Sequence, residues 1–572
     1  MITNIINNTI DRLGAWNPQL FRELKGRLKT RNVAIAATLS LITQLIICLN
    51  YIGLLPPSGV RGSHYGRYCL GGVDPSYSEP NYYNETLCTK DLLGNWIILK
   101  ELWWLDIFTT LSIISIILLL AVGTYMLIAD LSQEESKGTI NFIRLSPQSA
   151  GSVLVGKLLG VPVWLYIFVL LALPFNLIAG LKAHIPLILI LGFYGAVMAS
   201  CIFFYSAALL FGLANSSLGG FQSWLASGVC LLFISITTSA MMGGYWVANN
   251  PFDWLSMFSP VVALHYLVDS THLNLDKVGY LRGHHLSDIL WYGENLWSNA
   301  LTGIGFLLCN YALWSYCIWR CLKRRFHNPI ATILTKQQSY LISFCYVVVC
   351  LGFTLQTSDL YNLKTNYAIL QVFNVMFILL ITALLTPHRQ TLQDWARYRH
   401  YNGSQGRSLI KDLVWGEKSP STLAIAVNIA IITIYILPSL FFLPQGNYDN
   451  YKISILMGLV ASANMILIYG TIVQLMLYLK NSKRAFWAGL TITSIIILPL
   501  VCFGMFRIEP SENPLLWLFS FIPMVATEYV TAKIVLGAIL GQWLGIVLLN
   551  AQMTRQLQRA GESASKQLLA AN

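Results

Sequence analysis

Long apolar runs separated by short polar connections set the pattern of this chain. Twelve stretches carry few or no charges, at approximately 33–54, 107–129, 158–180, 186–213, 222–246, 298–319, 340–357, 366–386, 421–443, 453–478, 486–506 and 528–549. A helix needs about 20 apolar residues to cross a hydrocarbon layer roughly 30 Å thick. The pattern therefore predicts an all-α polytopic membrane protein with about 12 transmembrane helices. Residues 16–32 are patterned differently. Leu20, Phe21, Leu24 and Leu28 share one helical face, while Arg22, Lys25, Arg27, Lys29 and Arg31 fill much of the remainder. This predicts a helix lying in the membrane surface with its charges snorkelling outward. The first apolar run lacks a small-residue cleavage motif and is not read as a secretory leader.

The pattern also repeats. Asn250 to Ala263 (NPFDWLSMFSPVVA) recurs as Asn513 to Ala526 (NPLLWLFSFIPMVA), with eight of fourteen positions identical and no gap. Each copy precedes the last run of a six-run half. The predicted halves are 1–325 and 326–572, two parallel six-helix pseudo-repeats related by an axis along the membrane normal. Pro251 and Pro514 suit a helix's first turn, and Pro260 and Pro523 suit its end. Asn250, Pro251, Trp254 and Pro260, with Asn513, Pro514, Trp517 and Pro523, thus outline an external re-entrant helix of about two turns in each half.

Composition agrees with the pattern. Apolar residues make up 55% and charged residues 11%, against about a quarter charged in soluble chains. Mean hydropathy is +0.59. Most of the 37 Lys and Arg residues lie on the side holding both termini. That bias predicts cytoplasmic termini in a multi-pass protein of the plasma (cell inner) membrane. The net charge of +12 is spread over several loops and ends, so it reads as anchoring to membrane lipids and not as a nucleic-acid footprint.

Chemistry is sparse. Cys69 and Cys88 share the first external loop, where an oxidising compartment favours a disulfide. No phosphate-cradling Gly-rich loop, zinc spacing or nucleophile–base arrangement occurs. His265, His272, His284, His285 and Asp288 gather in one external segment without a metal-binding spacing. The chain is expected to be no enzyme and to bind neither metal nor cofactor itself. Apolar spans hold uncharged polar groups, Asn176, Gln371, Asn374, Asn428, Asn464 and Gln474, which either bond across helices or line a path. Glu528 and Lys533 fall near the outer end of the last span and are expected to pair, or Lys533 to snorkel.

The loop from Asp130 to Lys157 (DLSQEESKGTINFIRLSPQSAGSVLVGK) resembles the loop after the second span of type-2 ABC exporter permeases. Glu134, Glu135, Gly138, Thr139, Ser146, Pro147, Gly156 and Lys157 occupy that family's pattern of an acidic pair, Gly-Thr, Ser-Pro and a later Gly-Lys. Asn17-Pro18 with Arg22-Glu23 resembles the family's N-terminal interfacial helix, and the paired Asn-Pro elements its external re-entrant helices. The resemblance implies a fused twelve-span ABC transporter transmembrane subunit. Its 130–157 loop would form a coupling helix docking on a separate ATPase (nucleotide-binding) subunit that carries ATP and Mg. Glu134 and Glu135 would pair with bases of that subunit, and Gly138-Thr139 would set the turn. The second half departs from the pattern, since its counterpart loop, 387–420, is basic. A nearly uncharged interior suits an apolar or amphipathic cargo. The competing readings are an ion-coupled secondary transporter, which usually needs an ionisable group at mid-membrane, and an integral membrane lipid-modifying enzyme.

Overall fold

The computed structural model of the chain describes residues 14–57, 65–69, 86–92, 95–215, 219–243, 249–271, 273, 286–356, 360–402, 409–441, 449–481 and 483–561. His272, His284 and His285 lie outside the described residues. Among the described residues, twelve helices are long and apolar enough to span a membrane. Spans 1 to 6 are Thr30–Gly53, Lys100–Ser136, Val163–Lys182, Leu187–Ala214, Phe221–Met242 and Ala300–His327. Spans 7 to 12 are Lys336–Thr354, Asn362–Leu385, Thr422–Leu440, Lys452–Leu477, Arg484–Met505 and Ala532–Arg559. Each apolar run of the sequence finds one of these helices, because a continuous apolar surface can be buried only if every backbone polar group is satisfied within the helix. Sheet among the described residues is confined to two two-stranded pieces; Tyr65–Gly66 pairs antiparallel with Thr86–Leu87. The adjacent Cys69 and Cys88 form a disulfide.

Eight shorter helices matter below. They are α1 (Pro18–Arg27), α2 (Thr139–Leu145), α3 (Ala150–Gly160), α4 (Phe252–Ser256), α5 (Val261–Asp269), α6 (Arg389–Asn402), α7 (Leu409–Trp415) and α8 (Pro514–Leu518).

The chain forms two compact units. Unit 1 comprises Met1–Ala248, Leu255–Ile289 and Asn295–His327; unit 2 comprises Asn249–Trp254, Leu290–Glu294 and Asn328–Asn572. Within unit 1, span 2 is interrupted by a π-helical turn at Leu118–Val122. Tyr205 donates its hydroxyl to Leu119 O at 2.7 Å and Ser227 donates to Ala121 O at 2.9 Å. Carbonyls released by a π turn need such partners. Gly123 makes room for the tyrosine, since a Cβ there would stand 2.2 Å from the Tyr205 hydroxyl. Asn176 donates to Phe108 O and Ser112 Oγ, both at 3.1 Å, and accepts from Tyr194 at 2.7 Å.

Unit 2 is cross-linked in the same way. Asn428 bridges Ser339 and Ser343 at 3.0 and 2.7 Å, Tyr346 donates to Asn374 at 3.1 Å, and Gln474 donates to Thr386 at 2.7 Å. Asn464 reaches Gln542 at 3.2 Å. These polar groups are therefore helix-to-helix staples, each worth about 0.6 kcal/mol and up to roughly 1.7; Gln371 differs, accepting from Asn374 of its own span at 3.3 Å. Glu528 pairs with Lys364, not with Lys533, which is exposed. Helical position alone favoured the nearby lysine; the fold brings Lys364 of span 8 to the carboxylate instead.

The two Asn-Pro elements differ in detail from a two-turn helix. α4 and α8 have five residues each. Pro260 begins the next helix, α5, as its N-cap residue, while Pro523 begins a 3-10 turn at Pro523–Ala526. Proline's fixed φ and missing N–H suit it to opening a helix as well as to ending one. Asn250 Oδ1 accepts from Phe252 N at 2.9 Å, and Asn513 is the N-cap of α8. Trp254 packs edge-on against Tyr346 at 5.7 Å, and Trp517 donates to Ile508 O at 3.0 Å.

Candidate functional site

The densest charge cluster of unit 1 joins α1, the end of span 2 and α3. Asn17 caps α1 by accepting from Leu20 N at 3.0 Å, and Pro18 fills the first turn, where its missing N–H costs nothing. The same asparagine donates from Nδ2 to Ser152 O at 2.8 Å, tying the cap to α3. α3 presents Gly156 and Gly160 to α1. A Cβ at Gly156 would lie 2.8 Å from Leu20 N, and one at Gly160 would lie 2.5 Å from Glu23 Cβ. Small residues four apart let two helix backbones approach this closely.

Between the two glycines, Lys157 projects into the junction and is 1% exposed. Its Nζ lies 2.6 Å from Asp130, 2.8 Å from Glu134 and 3.4 Å from Glu23. Arg27 pairs with Asp130 at 2.6 Å and with Glu23 at 3.2 Å, and Arg22 pairs with Glu134. Three cations thus balance three carboxylates. Burial alone would push the Lys157 ammonium down; the carboxylates outweigh it and hold the group above the usual lysine range. The spacing of the three acids would suit a metal ion, but Lys157 already supplies the positive charge at their centre.

Span 2 leads from this cluster into the loop. Gly138, at φ +69°, is the left-handed residue that closes span 2 and starts α2. Its N–H donates to Glu135 O at 2.9 Å, and Thr139 Oγ1 donates to Glu134 O at 3.0 Å. Only glycine adopts that φ without strain. α2 buries Ile140 and Ile143 and exposes Phe142 (75%) and Leu145 (85%). Ser146 ends it, donating to Ile143 O at 2.7 Å, and Pro147 follows.

The structure therefore divides the loop's residues. Gly138, Thr139, Ser146 and Pro147 shape the turns around α2, and Glu135 is half-buried beside them. Glu134 faces inward. Its carboxylate is taken up by Arg22 and Lys157, where the resemblance implied a base of a partner subunit. Helical phase separates it from its neighbour: adjacent residues point about 100° apart. Comparison with family models, curated proteins and solved structures finds no match to this chain. The functional reading accordingly rests on the site itself.

The sequence placed Arg27 on the charged face of α1, Asp130 at the head of the loop and Lys157 in the Gly-Lys pattern, without joining the three. Glu23 and Arg27 stand four apart on α1, which signals an intrahelical pair. The 134 positions between Glu23 and Lys157 carry no local signal. Chemically, the junction is a neutral, buried clamp. It makes α1, α3 and the end of span 2 one mechanical piece, with α2 as its protruding, apolar tip.

Proposed function

We propose that this chain is the transmembrane permease subunit of an ATP-driven ABC exporter. It moves an apolar or amphipathic substrate outward through the plasma membrane, with both termini cytoplasmic. A separate nucleotide-binding subunit holds ATP and Mg and hydrolyses it. The observation that carries the reading is α2, a short helix that turns Phe142 and Leu145 outward and is joined through Gly138 to span 2. A loop without a partner gains nothing by exposing two large apolar side chains there. The buried clamp behind α2 supports the same reading, because a push on the tip is passed to span 2 instead of being absorbed by a slack loop. Contact with the ATPase subunit then rests on Phe142, Leu145 and the rim carboxylate Glu135, with Glu134 in a positioning role.

Co-purification tests this. An ATPase subunit is expected to accompany the tagged chain from native membranes. Phe142→Asp combined with Leu145→Asp is expected to release it while the chain's melting temperature in detergent stays within a few degrees. Transport by the purified chain in vesicles, driven by an ion gradient with no ATPase present, would sink the proposal and favour a secondary transporter.

A further inference from the structure

Unit 2 contains a cavity of about 550 Å³ whose lining comes from α6, α7, the start of span 9, span 10 and the end of span 12. That volume lies within the range of small-molecule sites. Its deeper wall is apolar and includes Leu423, Ala426, Leu467 and Met553. Leu423 and Ala426 lie in the first turns of span 9 and Leu467 in span 10, so the cavity runs from the amphipathic helix α6 onto apolar membrane-spanning helices.

Among the described residues, Arg399 of α6 is the one charged residue in this lining. Its guanidinium meets Asp412 through Nη2 at 3.4 Å, beyond good hydrogen-bond length, and Asp412 already accepts from Trp395 Nε1 at 2.7 Å. Among the described residues, Arg399 Nε and Nη2 are buried with no hydrogen-bond acceptor. Buried guanidinium donors of this kind have capacity for a further acceptor. Two of the other polar side chains of the lining are already engaged. Asn550 and Thr554 are bonded to their own helix, at 2.9 Å to Ile546 O and Asn550 O.

We infer that this cavity binds an anionic amphiphile, with its phosphate or carboxylate on Arg399 and its hydrocarbon chain along Leu423, Ala426 and Leu467. The anion supplies the fork-shaped acceptor that a guanidinium favours. The apolar wall accounts for the chain. The basic character of α6 and its surroundings, with Arg389 and Arg397 on the same helix, draws acidic lipids to this end of unit 2. The source is an acidic membrane lipid. The inference is independent of the exporter reading, and failure of an ATPase to co-purify leaves it intact.

Trp395 lines the cavity and reports on it. The full chain is reconstituted in phosphatidylcholine bilayers containing a minor fraction of bromine-labelled lipid, either phosphatidylglycerol or phosphatidylcholine. The Trp395 signal is the difference between wild type and Trp395→Phe. Brominated phosphatidylglycerol is expected to quench it with an apparent affinity about fivefold above brominated phosphatidylcholine, as one charge pair near a membrane surface implies. Arg399→Gln is expected to abolish that preference, and Arg399→Lys to keep part of it. Ala426→Phe, which fills the chain-binding wall, is expected to reduce quenching by both lipids; with Arg399→Lys it carries the test if Arg399→Gln does not fold. Equal quenching by the two lipids in wild type, or an unchanged preference in Arg399→Gln, overturns the inference. So does inorganic phosphate if it removes the preference at millimolar concentration, since the site would then be one for a free anion.

Discussion

Lys157 shows how much a single side chain can hold in this protein. Its ammonium is buried against three carboxylates, and removing it leaves Asp130, Glu23 and Glu134 without their central charge. Truncating one partner of a buried ion network costs about 3–5 kcal/mol, so Lys157→Met is expected to lower the melting temperature in detergent markedly. Because the folded-state pKa lies above the ordinary lysine value, this group stabilises the fold throughout the neutral range and loses that effect only as pH rises past its raised pKa. Asp253 behaves oppositely. Burial drives its pKa up to about 7 despite hydrogen bonds from Gln356 and from the Asn250 and Asn249 amides. An acid whose folded pKa is raised favours the fold below its unfolded pKa, near 4, and loses that contribution as pH rises toward 7 and beyond. The chain is therefore expected to melt at a lower temperature at pH 8 than at pH 5. Asp253→Asn should remove most of the difference, and an unchanged pH profile in that variant would refute the assignment.

Among the elements, close approach is what the sequence hides best. The apolar runs made all twelve spans legible, because crossing a membrane constrains length and polarity over many consecutive residues. α1 was legible too, from Leu20 and Leu24 on one face and Asn17-Pro18 at its start. What pins it was not: Gly156 entered only through the Gly-Lys pattern and Gly160 not at all, and neither showed the backbone of Leu20 and the side chain of Glu23 packed against it. Gly160→Leu is expected to displace α1, at about 1–3 kcal/mol for overpacking, and to expose Arg27 to limited trypsin digestion while the spans stay intact. The π turn of span 2 was likewise invisible, since Leu118 to Val122 are as apolar as their neighbours. Its support depends on Tyr205, which is distant in sequence. Tyr205→Phe is expected to cost about 0.5–2 kcal/mol, because it removes the hydroxyl that shares Leu119 O with the Gly123 amide. A cost indistinguishable from zero would mean that the turn satisfies itself.

At the scale of the whole molecule, two six-span sets carry unlike tips. The first offers α2, backed by the ion clamp. The second offers α7, where Ile410 is 71% exposed and Trp415 50%, backed by Lys336 donating to Ser419 Oγ at 2.7 Å and Pro420 O at 3.0 Å instead of pairing with acids. The sequence showed this asymmetry as an acidic loop in one half and a basic one in the other, but it could not show that α7 too exposes apolar side chains. If both tips engage an ATPase, Ile410→Asp should weaken its capture, and by less than the paired change at Phe142 and Leu145; co-purification yields decide this. The clamp also sets a timetable for biogenesis. Glu23 leaves the ribosome 134 positions before Lys157, which at 5–20 residues per second is roughly 7–27 s. Through most of that interval, until Asp130 and Glu134 emerge, Arg22 and Arg27 lack their acidic partners on span 2, and their charge resists transfer of the first span's leading end across the membrane. Once the end of span 2 emerges, Glu134 and Asp130 neutralise the two arginines, and Lys157 of α3 then completes the cluster. One pair of charges thus first orients the nascent chain and then locks it, and nascent chains arrested before Ala150 should present α1 to protease while longer ones shield it.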